Sequence, residues 1–196
     1  IRAEDLKVRN FVFMEMSEAS EREWRGQPLT FDGVVFGFCT CGHSDFRLDY
    51  KVSRISAGEL FVLLPGHIFT TLESTADFEM RLLLVSRDFL YSLPVSFDFD
   101  WLKVVETSPC FRLDDRTMDD LTGVYSIQER YASDEKYSAQ IRNSLIMSLI
   151  IIIISAIDSR RSEKQTLVVS RSERLTHDFF DLMLQNYESQ RRVSFY

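Results

Sequence analysis

The sequence predicts a mainly β plus α protein: an antiparallel barrel or sandwich first, then two long helices, then a helical tail. Three observations predict it. Short segments with period-two alternation fill the first half, separated by Gly and Pro turn signals and by no helix-length segment. After Ser86 the apolar spacing changes to three and four residues. From Leu145 to Ile157 the chain is apolar but for Ser148 and Ser155.

The elements follow in order. Asn10 to Met16 reads as a first strand. Val34 to Thr40 is rich in Val and Phe, with Phe36 and Phe38 on one face and Val35, Gly37 and Cys39 on the other. Phe46, Leu48, Tyr50 and Val52 alternate with Arg47, Asp49, Lys51 and Ser53, which predicts one strand with a single buried face. Leu60 to Leu64 is uniformly apolar and is expected to be covered on both sides. Pro65-Gly66 turns the chain into a strand over His67 to Leu72. Phe78, Met80, Leu82 and Leu84 alternate again, ending at Ser86. Gly33, Cys41-Gly42 and Ala57-Gly58 are the other turn signals.

Ser86-Arg87-Asp88 then opens a short helical turn carrying Phe89 and Leu90, Asp98 to Val105 suggests another, and Pro109 to Leu113 is extended. From Asp114, the residues Met118, Leu121, Val124, Tyr125 and Ile127 recur at helical spacing behind an acidic first turn that suits the helix dipole. The polar cluster Ser133 to Lys136 ends that helix. Tyr137 to Arg160 is the second long helix, with Ile141, Leu145, Leu149 and Ile152 along one side and Ile146, Ile150, Ile153 and Ile157 along the next. A strand over Leu149 to Ile154 is the competing assignment, because Ile is β-branched; length and continuity favour the helix. The apolar run falls short of the roughly 20 residues that span a bilayer, so a buried helix and no membrane partner are expected. Arg160 to Gln165 reads as a polar linker, and Ser170-x-x-Glu173 forms a capping box for a last helix with Leu175, Phe179, Leu182 and Met183 on its apolar stripe. The division expected is 1–113 for the barrel with its short helices, 114–160 for the long helices, 161–169 for the linker and 170–196 for the tail.

The net charge of −7 is unevenly spread. Residues 1–158 hold 16 Lys and Arg against 25 Asp and Glu, and residues 159–196 hold 7 against 5. The acidic front is a poor polyanion binder, whereas the tail is mildly basic. Cys39 and Cys41 share one strand face and cannot easily bridge, so reduced thiols in a cytoplasm are expected of the three cysteines. The chain opens on Ile1, so its natural start is expected upstream, and no secretory signal is visible. Asp45, Asp49 and Glu59 are scattered over turn and solvent-face positions, and neither a phosphate loop nor a nucleophile motif occurs. Nothing here proposes catalysis.

In the tail, Phe179, Leu182, Leu184, Tyr187, Arg191-Arg192-Val193 and Tyr196 resemble the first helix of an AraC/XylS-family DNA-binding domain and the start of its second. Gly58 to Thr70 (GELFVLLPGHIFT) and Leu82 to Leu90 (LLLVSRDFL) resemble barrel segments of Bacteroides-type members of the same family. The resemblance runs over nearly the whole chain and rests on the order and spacing of these motifs. It implies a cupin-like sensor barrel, a helical dimerisation region and a DNA-binding domain whose recognition helices would lie beyond Tyr196. DNA would then be reached only through that missing C-terminal part.

The function implied is effector sensing and dimerisation in a cytoplasmic transcriptional regulator. The alternative is a cupin-fold enzyme, or a small-molecule-binding module without regulatory output. Metal-binding cupins carry a His-x-His pair and a following Glu where His67 stands, but here the partner position is Phe69, with Glu73 beyond it. One His and one Glu fall short of three protein ligands, so neither a metal nor a cofactor is expected. By analogy with family pockets, Trp24, Phe36, Phe38, Tyr50, His67 and Arg81 are the candidates for lining an effector cavity, although aromatics on strands are more often core. For the homodimer, the candidates are Ile141, Leu145, Leu149, Ile150, Ile152, Ile153 and Ile157, since a barrel can cover only one side of their helix. The competing arrangement is an intramolecular layer in which the Asp114 to Tyr131 helix covers the second side.

Overall fold

In a computed structural model the described residues are 10–93, 100–131 and 136–164. Eight strands form two antiparallel sheets. The larger holds β1 (Phe11–Ser17), β7 (Glu79–Ser86), β2 (Gly33–Cys41), β5 (Glu59–Leu63) and β8 (Cys110–Arg112), in that order. The smaller holds β4 (Lys51–Ser56), β3 (His43–Leu48) and β6 (Phe69–Ser74). Helices α1 (Glu18–Arg22), α2 (Arg87–Ser92), α3 (Asp100–Thr107), α4 (Asp115–Arg130) and α5 (Ser138–Lys164) complete the described chain.

The alternation in β2 separates two cores. Val34, Phe36 and Phe38 point to a helix-facing core that includes Trp101, Leu121, Tyr125 and the inner face of α5. Val35 and Cys39 point the other way, into a core between the sheets with Phe46, Phe61, Phe69 and Met80. Strands β2, β5 and β7 are buried on both faces, which is why Leu60 to Leu64 shows no polar alternation. The two cores therefore share one sheet.

The helix-facing core explains α5. Ile146, Leu149, Ile150, Ile153 and Ile157 are each at most 1% exposed, whereas Ser144, Ser148, Ile151 and Ser155 lie on the open side. Asp114 caps α4, its carboxylate accepting from the Thr117 backbone N–H at 2.8 Å. Tyr125 on α4 reaches β1, its hydroxyl donating to the Met14 carbonyl at 3.1 Å.

Three expectations change. The alternating stretch Phe46 to Ser53 is a hairpin, β3 and β4, because the chain reverses at Asp49, which has φ 53°. Strand β6 begins at Phe69 rather than His67. Helix α5 runs to Lys164, into the stretch expected to be a linker. With this length, Ser138 to Ser159 is long and apolar enough to cross a membrane by length and composition, although one whole side of it packs on the protein's own core. The expected tail helix, with its capping box and Arg191-Arg192-Val193, lies outside the described residues. Through Ile157 the chain is one compact unit, so the sheets share their body with α4 and that part of α5.

Candidate functional site

A cavity of about 120 Å³ lies in the core between the sheets. Met80, Leu82 and Leu84 form its floor, since every second residue of β7 points to the same face. Gly37 on neighbouring β2 lets these side chains lie close: a Cβ there would sit 2.8 Å from Leu82 Cδ2. Phe61 and Leu63 of β5 and Phe69 of β6 wall the far side. The near side is built from Met14 and Met16 of β1, α1, and the segment after it that carries Trp24 and Phe31.

Short-range hydrogen bonding sets that near side. Ser17 caps α1 in a reciprocal box with Ser20: the Ser17 backbone N–H donates to Ser20 Oγ at 2.9 Å, and the Ser20 N–H donates back to Ser17 Oγ at 3.4 Å. Beyond the helix the Gly26 N–H donates to the Thr71 carbonyl at 2.9 Å, and Leu29 exchanges two backbone bonds with Phe69. The segment thus lies along β6 as a rim.

Two of the polar side chains lining the cavity, Glu21 and Thr71, are buried. Glu21, on α1, is 2% exposed. The hydroxyls of Ser74 and Ser44 both donate to its Oε2, the latter at 3.4 Å. Its other oxygen, Oε1, has no hydrogen-bond partner among the described residues, and neither has Thr71 Oγ1. Both residues line the cavity. A buried polar atom without a partner costs on the order of 1–3 kcal/mol, so both positions favour any occupant able to bond them. The sequence signal for Glu21 was the Ser17 cap with its acidic first turn, but α1 has only five residues and no periodic stripe.

Among the six residues picked from sequence, the cavity takes Trp24. Phe36 and Phe38 lie on the opposite face of β2, with ring centroids 6.4 Å from Trp101 and 5.8 Å from Tyr125 respectively. Tyr50 projects fully into solvent from the β3–β4 turn. His67 sits before β6, its Nδ1 2.7 Å from Asp49 Oδ2. Donation by the Ile68 backbone N–H, then by His67, holds the Asp49 carboxyl below its ordinary range. Arg81 takes the helix-facing side of β7, 4.9 Å from the centre of the Tyr125 ring and 3.6 Å from Glu15. Strand parity places Phe36, Phe38 and Arg81 away from the cavity, and Tyr50 and His67 lie outside the strands that line it. Sequence reasoning missed Glu21, Thr71, Phe61 and Phe69.

Burial pushes the Cys39 and Cys110 thiols up to about 12, and all three cysteines are free. Among the described residues no group of three or more His, Cys, Asp or Glu is placed to hold a metal ion. On α5, Leu149, Ile150, Ile153 and Ile157 are enclosed by their own chain. Ile141, Leu145 and Ile152 stay half-buried, the first two beside a shallow groove with Gln140, Ser144 and Ser148.

Two antiparallel sheets closing on an apolar cavity, with helices backing one sheet, define a cupin-like ligand-binding domain. Residues 12–148 match the family model of the AraC-like ligand binding domain, and the chain belongs to that family. It is similar in fold to the AraC-like transcriptional activator CuxR, with 15% identity and a TM-score of 0.50, covering 92% of this chain and 60% of that one. Apo ToxT K231A from Vibrio cholerae aligns at 10% identity and a TM-score of 0.46, over 76% of this chain and 57% of that one. A cupin 2 conserved barrel domain protein from Leptotrichia buccalis aligns at 26% identity and a TM-score of 0.33, over 39% of this chain and 36% of that one. The chain thus spans 60% or less of the length of these structures. No curated protein matched the sequence.

Proposed function

We propose that this chain is the effector-sensing and dimerisation region of an AraC-type, DNA-binding transcriptional regulator that works in the cytoplasm and is not an enzyme. One observation carries it: an apolar cavity with two unpartnered buried polar atoms, Glu21 Oε1 and Thr71 Oγ1, inside a domain of a ligand-binding family. Residues 1–113 form the sensor and 114–160 the dimerisation helices, the last of which runs on to Lys164; the rest of 161–169 is a linker, and 170–196 the start of the helix-turn-helix domain. DNA is contacted through that C-terminal domain. A ligand switches such a protein only if it binds two arrangements of it with different affinity. The five-stranded sheet offers a route, since one of its faces floors the cavity and the other carries the helices.

The half-buried face of α5, with Ile141, Leu145 and Ile152, is the surface that a second copy would cover. Leu149, Ile150, Ile153 and Ile157 support it from beneath.

Filling the cavity tests the sensor. Leu84→Trp in the full regulator is expected to hold reporter transcription at one level across growth conditions that change it in the parent, with an unaltered circular dichroism spectrum. A variant that still responds would place sensing elsewhere. The dimer has a separate test: Leu145→Asp and Ile152→Asp should sediment as folded monomers where the parent sediments as a dimer.

A further inference from the structure

We infer that the cavity selects a compact, single-ring molecule with a hydrogen-bond-donating head, an ammonium above all, seated against Glu21 and Thr71. This rests on the cavity being the effector site.

Size comes first. An apolar cavity of roughly 150 Å³ admits benzene, so about 120 Å³ is on the scale of one small ring, and any substituent extends to the open side of the cavity. The walls suit a ring, because Trp24, Phe31, Phe61 and Phe69 contribute π faces and Met14, Met16 and Met80 contribute adaptable thioethers. Aromatic faces also attract a cation held near them.

The head is set by how Glu21 is held. Ser44 and Ser74 pair with one another across β3 and β6, and both hydroxyls donate to the same carboxyl oxygen, Oε2. Among the described residues nothing donates to Oε1. A bulge in β6 makes this arrangement possible. Phe46 pairs with Thr71 and Asp45 with Glu73, so Leu72 is the extra residue. The bulge shifts the strand's parity. Thr71 and Ser74, three residues apart, thereby both turn inward, one to the cavity and the other to Glu21.

Charge completes the selection. Of the charged residues lining the cavity Glu21 is the buried one, Glu15 being exposed with its carboxylate toward Arg81 on the helix-facing side, and the lining holds no Lys, Arg or His. Arg25 lies close by in sequence but is not part of the lining; its Nη2 is engaged by Glu18 at 3.2 Å, and its buried Nε has no partner among the described residues. An anionic ligand would lose its hydration with no cation among the described lining residues to receive it. An ammonium has three N–H donors to offer to Oε1 and Thr71 Oγ1.

The test is calorimetric titration of the chain with benzylamine, benzyl alcohol, toluene and benzoate. Benzylamine is expected to bind about tenfold or more tighter than toluene, with benzyl alcohol between them and benzoate not bound. Glu21→Gln should remove about tenfold of the benzylamine affinity and leave toluene unchanged. If Glu21→Gln fails to fold, Thr71→Val serves instead, and should weaken benzylamine several-fold against an unchanged toluene value. Toluene binding as tightly as benzylamine, or benzoate binding at all, would overturn the donor-head inference and leave the cavity as a ligand site. Binding of none of the four would overturn both.

Discussion

At the residue scale, burial decides how each cysteine behaves. Cys39 sits between the sheets, 0% exposed, and Cys110 is partly covered, so desolvation raises both thiols to about 12. Cys41, two residues beyond Cys39, is exposed. A disulfide-exchange reagent at neutral pH should therefore modify one thiol quickly in the folded chain and all three in denaturant. Two fast thiols in the native state would contradict the burial of Cys110. The sequence told which cysteines share a strand, but not which lies under a sheet. The same gap separates Phe36 and Phe38 from Val35: alternation in β2 sorted them onto two faces correctly, yet both faces are buried. Period-two spacing has no term that marks which face encloses a cavity.

At the scale of elements, two short pieces escaped the sequence for different reasons. Helix α1 is held by its Ser17–Ser20 box and by the Glu18 backbone N–H donating to the Phe78 carbonyl, so no hydrophobic period announces it. Yet it delivers Glu21, the polar feature on which the candidate site depends. The β3–β4 turn was hidden because Leu48, Tyr50 and Val52 keep an alternating rhythm across it. Asp49 was the available signal, since Asp tolerates the left-handed region better than most residues. Its carboxyl, accepting from Ile68 and His67, is held below the ordinary range when folded. The stabilisation it brings is full above the unfolded value, about 3.9, and is lost as pH falls through the folded value. Asp49→Asn preserves the turn and removes the charge. Its urea midpoint should lie below the parent's at neutral pH and converge on it in acid, and a pH-independent gap would contradict the assignment.

Helix α5 was legible in type and approximate extent, but which of its faces is covered was not, because an isoleucine-rich helix looks the same from several sides. Leu149 is 1% exposed within its own chain, so truncating it removes core packing. Leu149→Ala should cost about 2–5 kcal/mol in denaturant unfolding and leave the sedimentation coefficient of the folded protein unchanged. A charge at Leu149 or Ile153 would unfold the chain rather than report on dimerisation, which is why Leu145 and Ile152 are the informative positions. If Leu149→Ala were nearly neutral, the inner face of α5 would not be where the two-core arrangement puts it.

At the scale of the whole molecule, the sequence divides naturally into a strand half and a helical half, but the packing joins them. Strands β2, β5 and β7 contribute side chains to both cores, so neither core can be exposed without stripping a face from the same sheet. Cooperative unfolding in a single transition follows. The two tryptophans of the chain sit where they can test it. Trp24 lines the cavity between the sheets, while Trp101 is 1% exposed beneath the helices. Trp24→Phe leaves only the helix-side reporter. Trp101→Phe leaves only the cavity-side one, and also removes an indole N–H that has no partner among the described residues. Each variant has its own stability, so its fluorescence midpoint in urea is compared with the midpoint from its own far-ultraviolet circular dichroism. The two midpoints should coincide in both variants. If the helical layer were an independent domain, Trp101 fluorescence would move apart from the β-sheet signal. A cavity ligand could then influence α5 only weakly, because stabilising one domain would leave the other's equilibrium untouched. With one shared sheet, a ligand bound to the folded state raises both midpoints together by mass action, about 2.7 kcal/mol at a hundredfold excess over Kd. Movement of the Trp101 signal when ligand is added to the Trp24→Phe variant would thus register at the helices an event that occurs on the other side of the sheet.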